Sequence, residues 1–337
     1  MRMQTVLTEE KRNLRRKWLF PVMLAALLLV MFYGLTLGSV HISLADIWAV
    51  FTSRSDPVNE KIVMDLRLPR VLTGLLVGAS LAASGSLLQG VVKNPLADPG
   101  IIGVTAGGGL AAVTCMILLP QYIYLLPAAA FLGAFLASLV VYGLSWDQGT
   151  SPLKLILAGV AVNALLGAVM NGLMVVYSDR VQAVLPWLAG GLNGRSWHHL
   201  GFMAPYAIGG LVLCLFAIKP ANILRLGDDS AKLLGQNVEL TRFFLIVLAA
   251  LLAGAAVSVA GLVGFVGLVV PHVIRLLIGD DYRFLLPLSV LCGGILVVLA
   301  DTAARVGFSP VELPVGILLA CLGAPFFLYL LKTKGGI

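Results

Sequence analysis

Eight long stretches of this chain contain no Asp, Glu, Lys or Arg: 18–45, 71–92, 99–146, 155–178, 196–218, 243–274, 284–300 and 313–331. A helix needs about 20 consecutive apolar residues to cross the hydrocarbon core of a bilayer. Runs of this length and number make lipid, not water, the solvent in which the chain folds. Composition agrees, since only 12% of residues are charged, about half the usual share for a soluble domain. Two runs are too long for one helix. The stretch 99–146 breaks at Leu119-Pro120-Gln121, where proline ends a helix and glutamine is polar. The stretch 243–274 carries Gly261, Gly264 and Gly267, then Pro271. It is expected to form one full and one short helix, joined by irregular backbone that is tolerated at membrane depth only when buried in protein. The expected fold is therefore an all-α membrane protein of ten transmembrane helices. A single domain would span 18–331, between a basic tail at 1–17 and a short tail at 332–337.

The N-terminal Lys11-Arg12-Asn13-Leu14-Arg15-Arg16-Lys17 resembles the basic start of a signal peptide. The run that follows is long and lacks a small-x-small cleavage site, so a retained first span is expected. With the N-terminus in the cytoplasm and ten alternating spans, 16 of the 23 basic residues fall on the cytoplasmic side, as the positive-inside bias requires. Both termini are then cytoplasmic, which fits an even span count. The net charge of +7 is thereby assigned to membrane topology, with no nucleic acid as partner. On the second span Gly74, Gly78 and Ala82 recur every four residues, a small-xxx-small face suited to close helix contact.

Several chemistries are missing from the sequence. It has no GxxxxGK[ST] phosphate loop, no HExxH, no GxSxG and no Cys/His metal cluster. The expectation is a transport subunit, not an enzyme, with no cofactor of its own. Cys115, Cys214, Cys292 and Cys321 lie singly in apolar runs and read as small buried side chains. His198 and His199 read as interfacial, and His272 as a buried imidazole. Ion-coupled carriers usually place Asp, Glu or His inside the membrane, whereas these runs hold no ionisable residue except histidine. The driving energy is expected from a partner on the cytoplasmic face.

The segment from Lys219 to Arg242 offers a place for such a partner to push. Asp228, Asp229 and Ser230 suit a helix N-cap, Ala231 to Leu234 favour helix, and Gly235 suits the stop. The result is a short helix outside the membrane carrying Leu233 and Leu234. These two leucines either tuck against the bundle or wait for a docking partner. On the external side stand Arg67 and Arg70, at the start of the second span, and Arg305, after the ninth. They read either as interfacial anchors or as posts for an acidic partner, since arginine suits interfacial ion pairs.

Taken in order, five stretches carry a family resemblance: RLPRVLTGLLVGASLAASGSLLQG, NPLADPGIIGVTAGGG, GDDSAKLLGQ, GFVGLVVPHVIRLLIGDDYRFLLPLS and LADTAARVGFSPVELPVGILLACLGAPFFLYLL. Together they resemble the FecCD-type permeases, the membrane subunits of type II ABC importers for iron–siderophores, haem and cobalamin. The matches run from about residue 63 to residue 331. The resemblance implies ten helices per subunit and pairing with a second permease subunit, either a second copy or a paralogue. It also implies two cytoplasmic ATPase subunits that hold ATP and Mg, and one extracytoplasmic substrate-binding protein. Residues Asp228, Asp229, Ser230, Ala231, Leu233, Leu234 and Gly235 match the segment that couples to the ATPase. Arg67, Arg70 and Arg305 match external arginines that pair with glutamates of the binding protein. The stretch Trp187–Trp197 is similar to a pattern of siderophore members, which implies a ferric siderophore-type chelate as cargo. The spans show no cluster of hard oxygen ligands, which fits iron that arrives already coordinated. Haem or cobalamin as cargo, and an ion-coupled carrier, are the competing readings.

Overall fold

The computed structural model describes residues 9–38, 40, 42–52, 56–146, 151–308 and 311–333. Of the 23 basic residues counted above, Arg2, Arg54 and Lys334 lie outside the described residues, as does His41 of the first apolar run. Fourteen α-helices follow one another along the described chain: α1 Glu9–Thr36, α2 Leu44–Phe51, α3 Pro57–Lys61, α4 Leu68–Val92, α5 Val104–Leu118, α6 Leu126–Ser145, α7 Pro152–Val176, α8 Val181–Leu188, α9 Trp197–Leu224, α10 Asp228–Leu233, α11 Val238–Ala260, α12 Val266–Ile278, α13 Tyr282–Gly307 and α14 Val315–Thr333. By length and composition, seven helical segments can cross a membrane; α5, α12 and α14 supply three shorter apolar helices.

Both expected interruptions are present. A 3₁₀ turn, Pro120–Leu125, separates α5 from α6. Residues 261–265 separate α11 from α12, beginning at Gly261 with φ +70°. A side chain at Gly261 would lie 2.2 Å from the Trp187 carbonyl oxygen, so only glycine fits. The backbone exposed by this break is satisfied from neighbouring segments. Gly191 N donates to Ala260 O, the last carbonyl of α11, at 2.8 Å. Unpaired backbone groups at such depth would each cost several kcal/mol, roughly the full desolvation penalty.

The first run departs from expectation. α1 starts at Glu9, so the described part of the basic tail is an extension of the first helix, and it stops at Thr36 instead of continuing to residue 45. Beyond it, Ser43 and Asp46 form a reciprocal capping box that opens the separate helix α2. The second span is also longer than read: α3, a π-helical turn Ile62–Arg67 and α4 form one continuous stretch, Pro57–Val92. Pro69 lacks an N–H and its ring would crowd the carbonyl four residues back, and the helix widens just before it.

Helices α4 and α11 form the centre and are buried along most of their length. α4 packs on α13, α11, α9 and α12. Small residues make this possible. A Cβ at Gly78 would fall 2.0 Å from Gly293 O, and one at Gly85 would fall 1.9 Å from Gly267 O. The small face read at Gly74, Gly78 and Ala82 is thus a helix contact, with Gly293 of α13 opposite Gly78 and Ala82. Helix α7 is the opposite case, since most of its surface is uncovered in the single chain.

Candidate functional site

Two polar clusters occupy opposite ends of the bundle. One gathers around the C-terminus of α1. The last carbonyls of a helix have no partner within it and carry the negative end of its dipole, so a cation is favoured there. Arg67 supplies one: its guanidinium donates to Leu35 O at 2.6 Å and Thr36 O at 2.9 Å, and also to Val40 O. Arg305 supplies a second, donating to Gly34 O at 2.8 Å. Arg70 instead meets acids. Its Nε and Nη2 donate to the two oxygens of Asp301 at 2.8 and 2.9 Å, and its Nη1 donates to Glu312 at 2.8 Å. This fork geometry is the strong form of a charged hydrogen bond.

All three arginines are buried, at 5%, 8% and 7% relative exposure for Arg67, Arg70 and Arg305. Within the single chain their guanidinium groups turn to internal partners, as a buried cation must to offset its desolvation. Asp301 and Glu312 went unread in the sequence, where they only mark the ends of apolar runs. Arg195 is a further residue of this end. It follows Gly194, whose φ is +68°, and its Nη1 lies 3.5 Å from the His199 Nε2. Burial and the neighbouring Arg70 both hold the Arg195 pKa below the ordinary guanidinium value.

The other cluster holds the short helix α10. Its start differs from the reading. Gly227, at φ +105°, is the N-cap and no side chain caps the helix. The Asp228 carboxylate is turned away to Arg242 Nη2, which donates to both of its oxygens at 2.9 and 2.7 Å, and to Lys93 Nζ at 3.0 Å. Burial alone would raise the Asp228 pKa, but hydrogen bonds from Lys93 and Arg242 outweigh it and the pKa is lowered. Lys93 ends α4 in the left-handed conformation, φ +54°. One carboxylate thus ties α10 to both central helices. Gly235, at φ +79°, closes the helix, with Gln236 N donating to Ala231 O at 3.0 Å. Ala231 is buried, while Asp229, Ser230 and Gly235 are exposed. Leu233 and Leu234 are 89% and 62% exposed, so within this chain they are not tucked against the bundle.

The sequence model of the FecCD transport family matches residues 26–333. The chain belongs to the FecCD transport family. Like other members of that family it is a multi-pass membrane permease, a transport subunit. Among FecCD relatives, the Fe(3+)-citrate import system permease protein YfmE of Bacillus subtilis is 39% identical over 96% of this chain and 97% of its own length. The cobalamin import system permease protein BtuC of Halobacterium salinarum is 44% identical over 81% of this chain and 74% of its own. A solved structure described as an inward-facing ABC transporter of the metal-chelate type superposes with a TM-score of 0.85. It is 32% identical, covering 94% of this chain and 99% of the other.

Proposed function

We propose that this chain forms half of the membrane path of an ATP-driven importer for a ferric siderophore-type chelate. In this reading α1, α4 with its preceding turns, α5, α6, α7, α9, α11, α12, α13 and α14 are the ten spans. Both termini and α10 lie in the cytoplasm of a bacterium, and the end bearing Arg67, Arg70 and Arg305 faces outward. The observation that carries the reading is the exposure of Leu233 and Leu234 on a helix whose base is clamped by Asp228 to α4 and α11. Exposed leucines on a rigid lever suit a docking ATPase subunit, and the clamp gives that subunit purchase on the bundle centre. ATP and Mg would sit on the ATPase, and its two states would bias two arrangements of the paired permeases. The outward end would receive the binding protein, with Arg67, Arg70 and Arg305 holding its platform in shape and becoming available to glutamates when that end rearranges.

Iron chelate is favoured as cargo by the near full-length match to a ferric-citrate permease. Cobalamin is the second reading, favoured by the higher identity over a shorter stretch to a cobalamin permease. The coupling assignment is tested by Leu233→Asp/Leu234→Asp in the assembled complex. Both side chains are exposed, so the variant is expected to fold, while chelate-loaded binding protein no longer stimulates ATP hydrolysis. Stimulation at the wild-type level would remove α10 from the coupling path.

A further inference from the structure

The outward end contains two adjoining cavities of different character. The larger, of about 700 Å³, has apolar walls that include Trp187, Leu192, Leu126 and Ile317. The smaller, of about 430 Å³, is lined by Arg67, Arg70, Arg195 and Arg305 against Asp65 and Glu312. Arg70, Asn193, Arg195 and Glu312 line both. Across the two cavities four guanidinium groups face three carboxylates, Asp65, Asp301 and Glu312, and Asp301 and Glu312 already answer Arg70. Among the described residues, Arg67, Arg195 and Arg305 make no ion pair. Arg67 and Arg305 are nonetheless satisfied in part by the carbonyls of α1. Arg195 is half-buried and donates to no carbonyl or carboxylate: its Nε, like that of Arg305, is buried without a hydrogen-bond partner, and its contact with His199 is at the limit of a hydrogen bond.

Leaving a buried donor without a partner is unfavourable. Keeping such a group in the wall between a cationic cavity and an apolar one makes physical sense when a ligand completes it. Arginine presents a planar fork of donors matched to a carboxylate. Ligand pockets of this size are usually apolar with a few convergent polar groups that set orientation.

We propose that Arg195 is a cargo-recognition residue that takes a carboxylate of an anionic chelate, whose apolar body occupies the larger cavity. This rests on the importer reading above and narrows its substrate to chelates that bear a carboxylate. Ferric complexes with carboxylate arms satisfy Arg195; a neutral trihydroxamate chelate leaves it unpaired.

The test uses the full chain in nanodiscs, with ferric citrate and a neutral ferric trihydroxamate as probes. Binding is read by quenching of tryptophan fluorescence, since Trp187 lines the larger cavity. Saturable quenching by ferric citrate is expected, with half-saturation raised at least tenfold in Arg195→Ala and only partly restored in Arg195→Lys, which keeps the charge but lacks the planar fork. The response to the trihydroxamate is expected to be the same in all three proteins. Equal effects on both probes, or no effect of Arg195→Ala on ferric citrate, would overturn the proposal. So would loss of binding-protein capture by Arg195→Ala, which would assign the arginine to a carboxylate of that protein. ATP-driven uptake in the reconstituted complex separates the two layers: uptake of a chelate that ignores Arg195→Ala keeps the importer and removes this site, whereas absence of ATP-driven uptake removes the importer itself.

Discussion

Arg70 is the most heavily partnered side chain of the arginine cluster at the start of α4, and its energetics follow from burial. Its guanidinium is 8% exposed and holds both oxygens of Asp301 together with Glu312. Removing one partner of a buried ion pair leaves the others uncompensated, at about 3–5 kcal/mol. Arg70→Met is therefore expected to lower stability by that amount in a detergent unfolding titration. Adding Asp301→Leu and Glu312→Gln should recover most of the loss, because no unpaired charge then remains. A triple variant no more stable than Arg70→Met would show that the cluster contributes through something other than charge pairing. At this scale the sequence was only half legible. The arginines stood out as basic residues at a membrane edge, but their partners are backbone carbonyls of α1 and two acids 231 and 242 residues further along the chain. Hydrophobic patterning carries no information about such contacts. It likewise placed Asp228 as a cap, since the competing pull of Arg242 and Lys93 appears only when α10 folds back over the ends of α4 and α11.

Among the elements, the helix pair α4 and α13 depends on close approach without side chains. Gly78→Ala would put a methyl carbon 2.0 Å from Gly293 O, and that atom is backbone with nowhere to move. Forcing extra volume into a packed core costs about 1–3 kcal/mol or more, so Gly78→Ala is expected to destabilise clearly. Gly209→Ala on α9, where nothing lies within 4 Å of the added carbon, should be neutral or gain up to about 1 kcal/mol of helix propensity. Equal effects of the two would contradict the packing described here. The breaks within 99–146 and 243–274 were legible because proline and glycine act locally. The end of α1 at Thr36 was not, since no charge marks it and the signal lies in the Ser43–Asp46 capping box. The continuous helix from Pro57 was missed for the opposite reason: charged residues 60, 61, 65 and 67 ended the apolar run while the helix carried on.

For the molecule as a whole, the two polar clusters sit at opposite ends of the same central helix: Arg67 and Arg70 at the start of α4, Lys93 at its end. Asp228 links α10 to Lys93 and Arg242, and α4 connects that point to the arginine cluster and the two cavities beside it; under the proposed function a push on α10 would travel along this path. The membrane class and the FecCD resemblance were readable from apolar run lengths and ordered motifs. The cavities were not, because they are bounded by α8, the 189–196 loop and α14, segments that meet only in three dimensions. The central claim is that ATP hydrolysis on a partner drives an iron chelate through this chain. It is tested most directly by reconstituting the chain with its ATPase subunit and binding protein in liposomes, and following radiolabelled ferric chelate with ATP supplied on the ATPase side. Uptake that requires ATP and stops with a hydrolysis-dead ATPase is the predicted result. Uptake that proceeds without ATP and collapses when an ion gradient is removed would contradict it.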